Sequence, residues 1–392
     1  MNKVLGNLKL WQKFALIGLL TAVMTGAPTL VLFSGYLKEI RFVRNEVSGV
    51  EPVRAAMAIV KFTQQHRGLS GAVLSGDEQA VAKREAAKAE VDKAIAGAQA
   101  AGQALESRKL AEHLEGIARS WLALTPSVAG KSITPAESFN AHTALIASQL
   151  KVLDDVTEAS GLALDPEAAT YYIMLGSPTH APALAEILGQ MRARGTQYLS
   201  KKEMTPEQRA TFGMQAGLLK ERFNDLRDAF GRSAAADPAV AKALEKPLAE
   251  ALAASERALR LVDEKLLKAQ SLDHPPSQFF GDMTSGVDAQ LALFDASMKV
   301  LEDELHAREA AQLRSITIVS VVIGLGAALV TWILLTITRM TMRAVDNAVS
   351  VASAMADGDL TRDVQSLSHD EIGQLLGAMQ HMQANLRRVV GN

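Results

Sequence analysis

Two stretches of the chain interrupt an otherwise mixed pattern of apolar and polar residues. From Phe14 to Leu37, between Lys13 and Lys38, no residue carries a charge, and the same holds from Ser315 to Thr338, between Arg314 and Arg339. As a helix each would extend about 36 Å, enough to cross the hydrocarbon core of a bilayer. The first is too long for the apolar core of a cleaved leader and lacks a small-x-small cleavage site, so it is expected to remain as a membrane helix. Pro28 within it is tolerable where neighbouring helices satisfy the freed carbonyl, and Gly324 and Gly326 in the second would suit close helix contact. Lys3, Lys9 and Lys13 precede the first span and Arg339 and Arg343 follow the second. By the positive-inside rule, residues 1–13 and 339–392 are expected to be cytoplasmic and residues 38–314 to lie outside.

The outside segment has the period of helices throughout, and no run of alternating β-branched residues interrupts it. Thr134-Pro135, Asp165-Pro166, Thr205-Pro206 and Asp237-Pro238 each place a capping oxygen before a proline suited to the first helical position. Glu137 and Gln208 complete capping boxes at Thr134 and Thr205. Phe280, Met283, Val287, Leu291, Phe294, Met298, Leu301 and Leu305 form an apolar stripe leading into the second span, and Val53, Met57, Val60 and Leu74 do the same after the first. Arg67-Gly68 with Asp77-Glu78-Gln79 downstream is echoed by Arg194-Gly195 with Pro206-Glu207-Gln208, a weak internal repeat. The expected architecture is all-α: two transmembrane helices, a helical bundle outside the membrane made of two related modules of about four helices each (38–160 and 165–314), and a cytoplasmic coiled coil.

Composition narrows the chemistry. Lys plus Arg number 41 against 43 Asp plus Glu, a net charge of −2, which supplies no drive toward nucleic acid. No cysteine occurs, so disulfides, thiolate metal sites and thiol catalysis are excluded. His66 and His180 have no second ligand at helical spacing, and Gly130-Lys131-Ser132 lacks the first glycine of a phosphate loop because Thr125 stands there. Neither a metal, a cofactor nor a catalytic activity is expected.

Arg67 falls on the stripe of Val60 and Leu74, and Arg194 on that of Leu184, Ile187, Met191 and Tyr198. A guanidinium on an apolar face must meet an anion. Either the two arginines clamp a small oxyanion or carboxylate, for which their forked donors are suited, or each pairs with an internal acid such as Asp154, Asp155 or Asp165. Gly68 and Gly195 would allow close helix approach beside them, unless they are simply tolerated within their helices. The pair Tyr171-Tyr172 could line a pocket, although an aromatic pair in a bundle is more often core.

The C-terminal segment carries the most specific pattern. Val345, Ala348, Ala352 and Met355 make one short heptad-like helix, and Ile372, Leu375, Met379, Met382, Leu386 and Val389 another. Between them stand Gly358-Asp359-Leu360, Val364 and Ser368-His369-Asp370-Glu371-Ile372-Gly373, where Ser368 and Glu371 form a capping box. This segment resembles a HAMP domain. The resemblance implies a parallel dimeric four-helix bundle relaying membrane-helix displacement, with Gly358, Leu360, Val364, Asp370, Glu371 and Ile372 as relay residues. One departure is Met340 after Arg339, where the family usually has proline.

The plan as a whole resembles the sensory half of bacterial methyl-accepting chemotaxis proteins, on Leu8-Lys9-Leu10-Trp11-Gln12-Lys13-Phe14 and on Glu51-Pro52-Val53-Arg54 leading to Gln65-His66-Arg67-Gly68-Leu69-Ser70. The outer region is similar to nitrate- and nitrite-sensing helical domains, in which arginines hold the anion. Arg67 matches that family's Arg-Gly-Leu-Ser pattern, and Arg194-Gly195-Thr196 matches it in part. The resemblance implies a homodimeric receptor for a small solute such as nitrate, nitrite or a carboxylate. The sequence ends at Asn392 without a methylation hairpin, so a chemotaxis kinase and adaptor are partners only if that hairpin follows. The rival expectations are the sensor half of a histidine kinase or cyclase, and a ligand-free membrane adaptor in which Arg67 and Arg194 only hold the bundle together.

Overall fold

The structure is a computed structural model and describes residues 7–362 and 370–390. It is all-α, with no strand among the described residues. The helices are α1 (Leu10–Leu74), α2 (Ala80–Gly102), α3 (Arg108–Ala129), α4 (Pro135–Ser160), α5 (Ala168–Met174), α6 (Ala181–Lys201), α7 (Pro206–Ala236), α8 (Pro238–Val262), α9 (Pro276–Ala356) and α10 (Glu371–Val390). The chain divides into two compact units, Glu39–Ala311 on one side and Met1–Lys38 with Gln312–Asn392 on the other.

Within Glu39–Ala311, antiparallel neighbours pack in chain order: α2 on α3, α3 on α4, α6 on α7 and α7 on α8. Thr134 and Thr205 cap α4 and α7 through complete capping boxes, and Asp237 caps α8 by accepting from the Ala239 amide. Asp165 departs from the expectation. Its carboxylate accepts from the Glu167 amide and from Arg308, and α5 begins later, at Ala168. Residues 38–160 contain the later part of α1 with α2 to α4 and residues 165–314 contain α5 to α8 with the first part of α9, and one contiguous hydrophobic core joins the two stretches, from Val53 and Trp121 through Leu184 and Phe230 to Phe294. The last stripe is also rephased at its start. Phe279 is fully buried whereas Phe280 is exposed, because Phe279 fills the space that a side chain at Gly195 would occupy.

Two π-helical turns, Leu175–His180 and Asp263–Leu267, widen the bundle locally. The first contains Pro178, and Gly176 lies so close to Phe230 that an added Cβ would stand 2.7 Å from the ring. Tyr171 and Tyr172 meet edge to face at 5.2 Å, but Tyr171 is exposed rather than core, and Arg232 lies over Tyr172.

In the other unit, α1 runs unbroken through Pro28, and both α1 and α9 contain a segment long and apolar enough to cross a membrane. Leu16, Leu20, Val23, Leu30, Leu325 and Trp332 are all exposed along these segments, as lipid-facing side chains would be. A Cβ on Gly18 would stand 2.9 Å from Leu334, whereas one on Gly324 or Gly326 would meet no atom of this chain within 4 Å. After Ala356 the helix ends in a Schellman turn: Gly358 adopts φ +82°, and the Gly358 and Asp359 amides donate to the carbonyls of Met355 and Ala354. Ala348 and Val351 of α9 pack against Leu376 and Met379 of α10, with Met355 and Ile372 alongside. Val351 thus takes the inward place expected of Ala352, which is exposed.

Candidate functional site

The two arginines expected from sequence to hold an anion converge on one aromatic ring. Phe139, in the first turns of α4, has the Arg67 guanidinium of α1 at 5.0 Å from its centroid and that of Arg194 of α6 at 5.4 Å. A ring face is the negative pole of its quadrupole, so it suits a cation on an apolar wall. Arg67 is buried, as its position on an apolar stripe demands; Arg194 is only half-buried.

The partner of Arg67 is Glu186, and none of the three aspartates considered from sequence. Arg67 Nη1 donates to Glu186 Oε1 at 2.5 Å and Nη2 to Oε2 at 3.1 Å, a two-pronged pair in which both side chains are buried. Gln64 Nε2 and Gln190 Nε2 each donate to one oxygen of the same carboxylate at 2.8 Å, and Thr143 accepts a further bond from Arg67 Nη1 at 3.0 Å. Asp155 instead pairs with Lys109 and His113, and Asp165 with Arg308. Gly189 leaves the room Arg67 needs, since a Cβ there would lie 3.3 Å from Nη2.

A third guanidinium escaped the sequence reading. Arg192 lies over the Phe280 ring at 4.8 Å and donates to Thr284 at 2.9 Å. Burial, and then the positive charge of Arg67, hold it below its ordinary pKa range, against the weaker pull of Asp288 and Glu186. Among the described residues neither Arg192 nor Arg194 makes an ion pair, so Glu186 is the one carboxylate paired within a group of three guanidiniums. The sequence does hold a signal for Glu186: it is the sole acid of α6, set between Leu184-Ala185 and Ile187-Leu188 where an apolar residue would be expected.

The glycines divide. Gly195 sits where a Cβ would be 2.5 Å from Phe279, so it does permit close approach of α6 and α9. Gly68 is exposed with open space around it and brings no helix close to Arg67.

Beside Arg67, His66 forms a second buried cluster. His66 Nδ1 lies 2.8 Å from His142 Nε2, and His142 Nδ1 lies 2.7 Å from the Ser138 carbonyl. The carbonyl can only accept, so His142 donates from Nδ1, and its Nε2 accepts from His66. Burial, with His142 next in effect, pushes His66 down to about 3, and burial pushes His142 down to about 4. Both imidazoles are therefore neutral at ordinary pH. Trp121 meets His66 edge-on at 4.8 Å and donates to Asp92 at 2.6 Å. No group of three or more metal-ligating side chains occurs among the described residues. Burial holds His180 below its ordinary pKa, and its Nδ1 has no partner.

The segment after α9 is tied to α10 by side chains. Leu360 O accepts from Gln383 Nε2 at 2.8 Å and from Arg387 Nε at 2.6 Å, and Arg362 O accepts from the same Gln383 at 2.8 Å. Asp359 Oδ1 accepts from the Thr361 amide. The cap of α10 is Asp370, which accepts from the Gly373 amide at 2.9 Å; Glu371 is the first helical residue, and Ile372 turns inward. Val364 and Ser368 lie outside the described residues.

An all-α bundle in which three guanidiniums gather, two helices long and apolar enough to cross a membrane, and a short module of two packed helices together make the plan of a membrane-bound sensor. The comparisons agree. The family described as "Nitrate and nitrite sensing" matches residues 58–310, more than half of the chain, and the HAMP domain family matches residues 336–388. This chain belongs to the nitrate- and nitrite-sensing family and carries a HAMP domain. It is 30% identical over 105 residues to the methyl-accepting chemotaxis protein McpQ of Pseudomonas putida, covering 27% of this chain and 16% of that protein. The chain thus spans only a small part of that relative's length. It also resembles the solved structure of the NasR transcription antiterminator, with a TM-score of 0.57 and 16% identity over 91% of this chain and 95% of the other, a likeness of fold. The protein is a transmembrane sensor that transmits its signal through HAMP, and a sensory domain implies a small-molecule ligand.

Proposed function

We propose that this chain is the sensory half of a chemoreceptor of the methyl-accepting type, a homodimer of the bacterial inner membrane with both ends cytoplasmic and residues 38–314 in the periplasm. Its ligand is a small planar anion, nitrate or nitrite before a carboxylate, held between Arg67 and Arg194 against the Phe139 ring. The observation that carries this reading is the excess of guanidinium over carboxylate: Arg67, Arg192 and Arg194 gather where, among the described residues, Glu186 is the one acid paired to any of them. Buried and half-buried positive charge without a counter-ion is costly, and a solute anion relieves it. The family match supports the same ligand class. Binding shifts α9, which continues from the sensing region to Ala356, and HAMP converts that shift into altered packing of α10. Exposed Leu375, Met382, Leu386 and Val349 leave an apolar face that a second copy would cover, which supports the homodimer. A chemotaxis kinase and adaptor are its downstream partners where a methylation and signalling hairpin follows the HAMP segment.

The test is titration calorimetry on the full chain in nanodiscs with sodium nitrate, sodium nitrite and sodium acetate, against sodium chloride. Saturable binding of nitrate or nitrite is expected, and Arg194→Ala should abolish it with the fold intact. Arg67→Ala is the poorer variant, because it strands the buried Glu186 carboxylate at a cost of about 3–5 kcal/mol. Absence of saturable binding to every anion would overturn the reading.

A further inference from the structure

The fork of Arg67 is already occupied. Both terminal nitrogens donate to the Glu186 carboxylate, which has the planar two-oxygen edge that nitrate, nitrite or a carboxylate solute would present. The occupant is held in place by two amides, Gln64 and Gln190, one on each oxygen. Gln190 is in turn held by Gln215 at 3.2 Å, whose own Oε1 is buried without a partner. Glu186 therefore has a defined seat facing Arg67, and the two further guanidiniums nearby, Arg192 and Arg194, have no paired acid of their own among the described residues.

We propose that Glu186 is a tethered competitor in the anion site: the solute takes the Arg67 fork by displacing the Glu186 carboxylate, and this exchange sets the affinity of the sensor. The inference rests on the anion-binding reading above and adds a positioning residue to it. Two physical consequences follow. The resting site avoids the cost of an unpaired buried guanidinium, so the empty sensor is stable. The solute must also exceed an intramolecular rival of high effective concentration, which weakens apparent affinity into a range that can report changing solute levels. Because Glu186 and Gln190 lie on α6, which packs on α9 through Gly195 and Phe279, release of the carboxylate loosens the tie between α1 and α6 beside the helix that leads to HAMP.

The test compares wild type, Glu186→Gln and Gln190→Leu as full chains in nanodiscs, with sodium nitrate and sodium nitrite as probes and sodium chloride as the control salt. Glu186→Gln should bind at least tenfold more tightly than wild type. It should also gain more in melting temperature on adding nitrate, because the solute then supplies the missing counter-ion. Gln190→Leu keeps every charge but loosens the seat, so it should bind more tightly by a smaller factor; it decides the matter if Glu186→Gln does not fold. Unchanged or weaker affinity in the variants, with wild-type binding intact, would overturn the competitor role and leave the anion-binding reading standing. No binding by any of the three proteins would overturn both.

Discussion

Glu46 of α1 and Arg308 of α9 meet inside the sensing region, where Arg308 Nη1 reaches Glu46 Oε2 at 3.4 Å and Asp165 Oδ1 at 3.0 Å, and Nη2 donates to Thr170 at 2.7 Å. One guanidinium thus serves two buried carboxylates, and Glu46 Oε1 and Asp165 Oδ2 are left without partners. Burial first, and then Asp165, raise Glu46 from 4.5 to about 8, while Arg308 pulls the other way. Between about pH 4.5 and about pH 8 the folded chain keeps a proton that the unfolded chain has released, so stability falls as pH rises through that window. Each pKa unit is worth about 1.4 kcal/mol, so the whole window amounts to a few kcal/mol. In a region of this size ~1 kcal/mol moves the melting temperature by about 2–4 °C, which predicts a drop of roughly 10 °C from this group between acid and mildly alkaline buffer. Glu46→Gln removes the titration and keeps the shape. Melting followed by far-ultraviolet circular dichroism, on full chains in nanodiscs from about pH 5 to about pH 9, should therefore give a flatter curve for the variant, which becomes the more stable protein at the alkaline end. Parallel curves for the two proteins would refute the reasoning.

Two further outcomes follow from contacts already described. Gly195→Ala should lower stability by about 1–3 kcal/mol, because its Cβ would stand 2.5 Å from Phe279 in a packed core, whereas Gly68→Ala should be neutral or stabilising by up to ~1 kcal/mol, since open space surrounds it; chemical denaturation of the two variants measures both. A cysteine introduced at Leu386 of the cysteine-free chain should form disulfide-linked dimers in vesicles, and adding Leu375→Glu, a charge on the same exposed face, should suppress them; equal cross-linking with and without the charge would count against the homodimer.

Much of the fold could be read from local chemistry, and the exceptions have specific causes. Thr134, Thr205 and Asp237 start helices where their sequences promise, because each cap is complete within three residues and needs nothing from elsewhere. Asp165-Pro166 has the same two letters as Asp237-Pro238, and both carboxylates accept from the amide two residues on, but Asp165 also holds Arg308, 143 positions away, and its helix starts later, at Ala168. The phase of the α9 stripe slipped by one residue at Phe279 because the deciding fact, the missing side chain at Gly195, lies on another helix. Arg67 was legible as a buried charge, since a guanidinium on an apolar stripe must be compensated. Its partner was not: Glu186 is far off in sequence, and an isolated acid in an apolar run can equally be a solvated residue. Arg192 was hidden for the opposite reason, lying off the stripe that drew attention to Arg194 and becoming notable only once Phe280 and Thr284 are placed beside it. In HAMP the cap at Asp370 was one of several acids and hydroxyls in a row, among which only the folded backbone chooses.

Trp121 stands alone in the span from Glu39 to Ala311, the two other indoles being Trp11 and Trp332. It sits edge-on to His66, the immediate neighbour of Arg67, and its Nε1 is anchored on Asp92. Indole emission responds to nearby imidazole and carboxylate groups. The sensing region therefore carries a single built-in indole fluorophore beside the C-terminal end of α1, readable with no dye or tag.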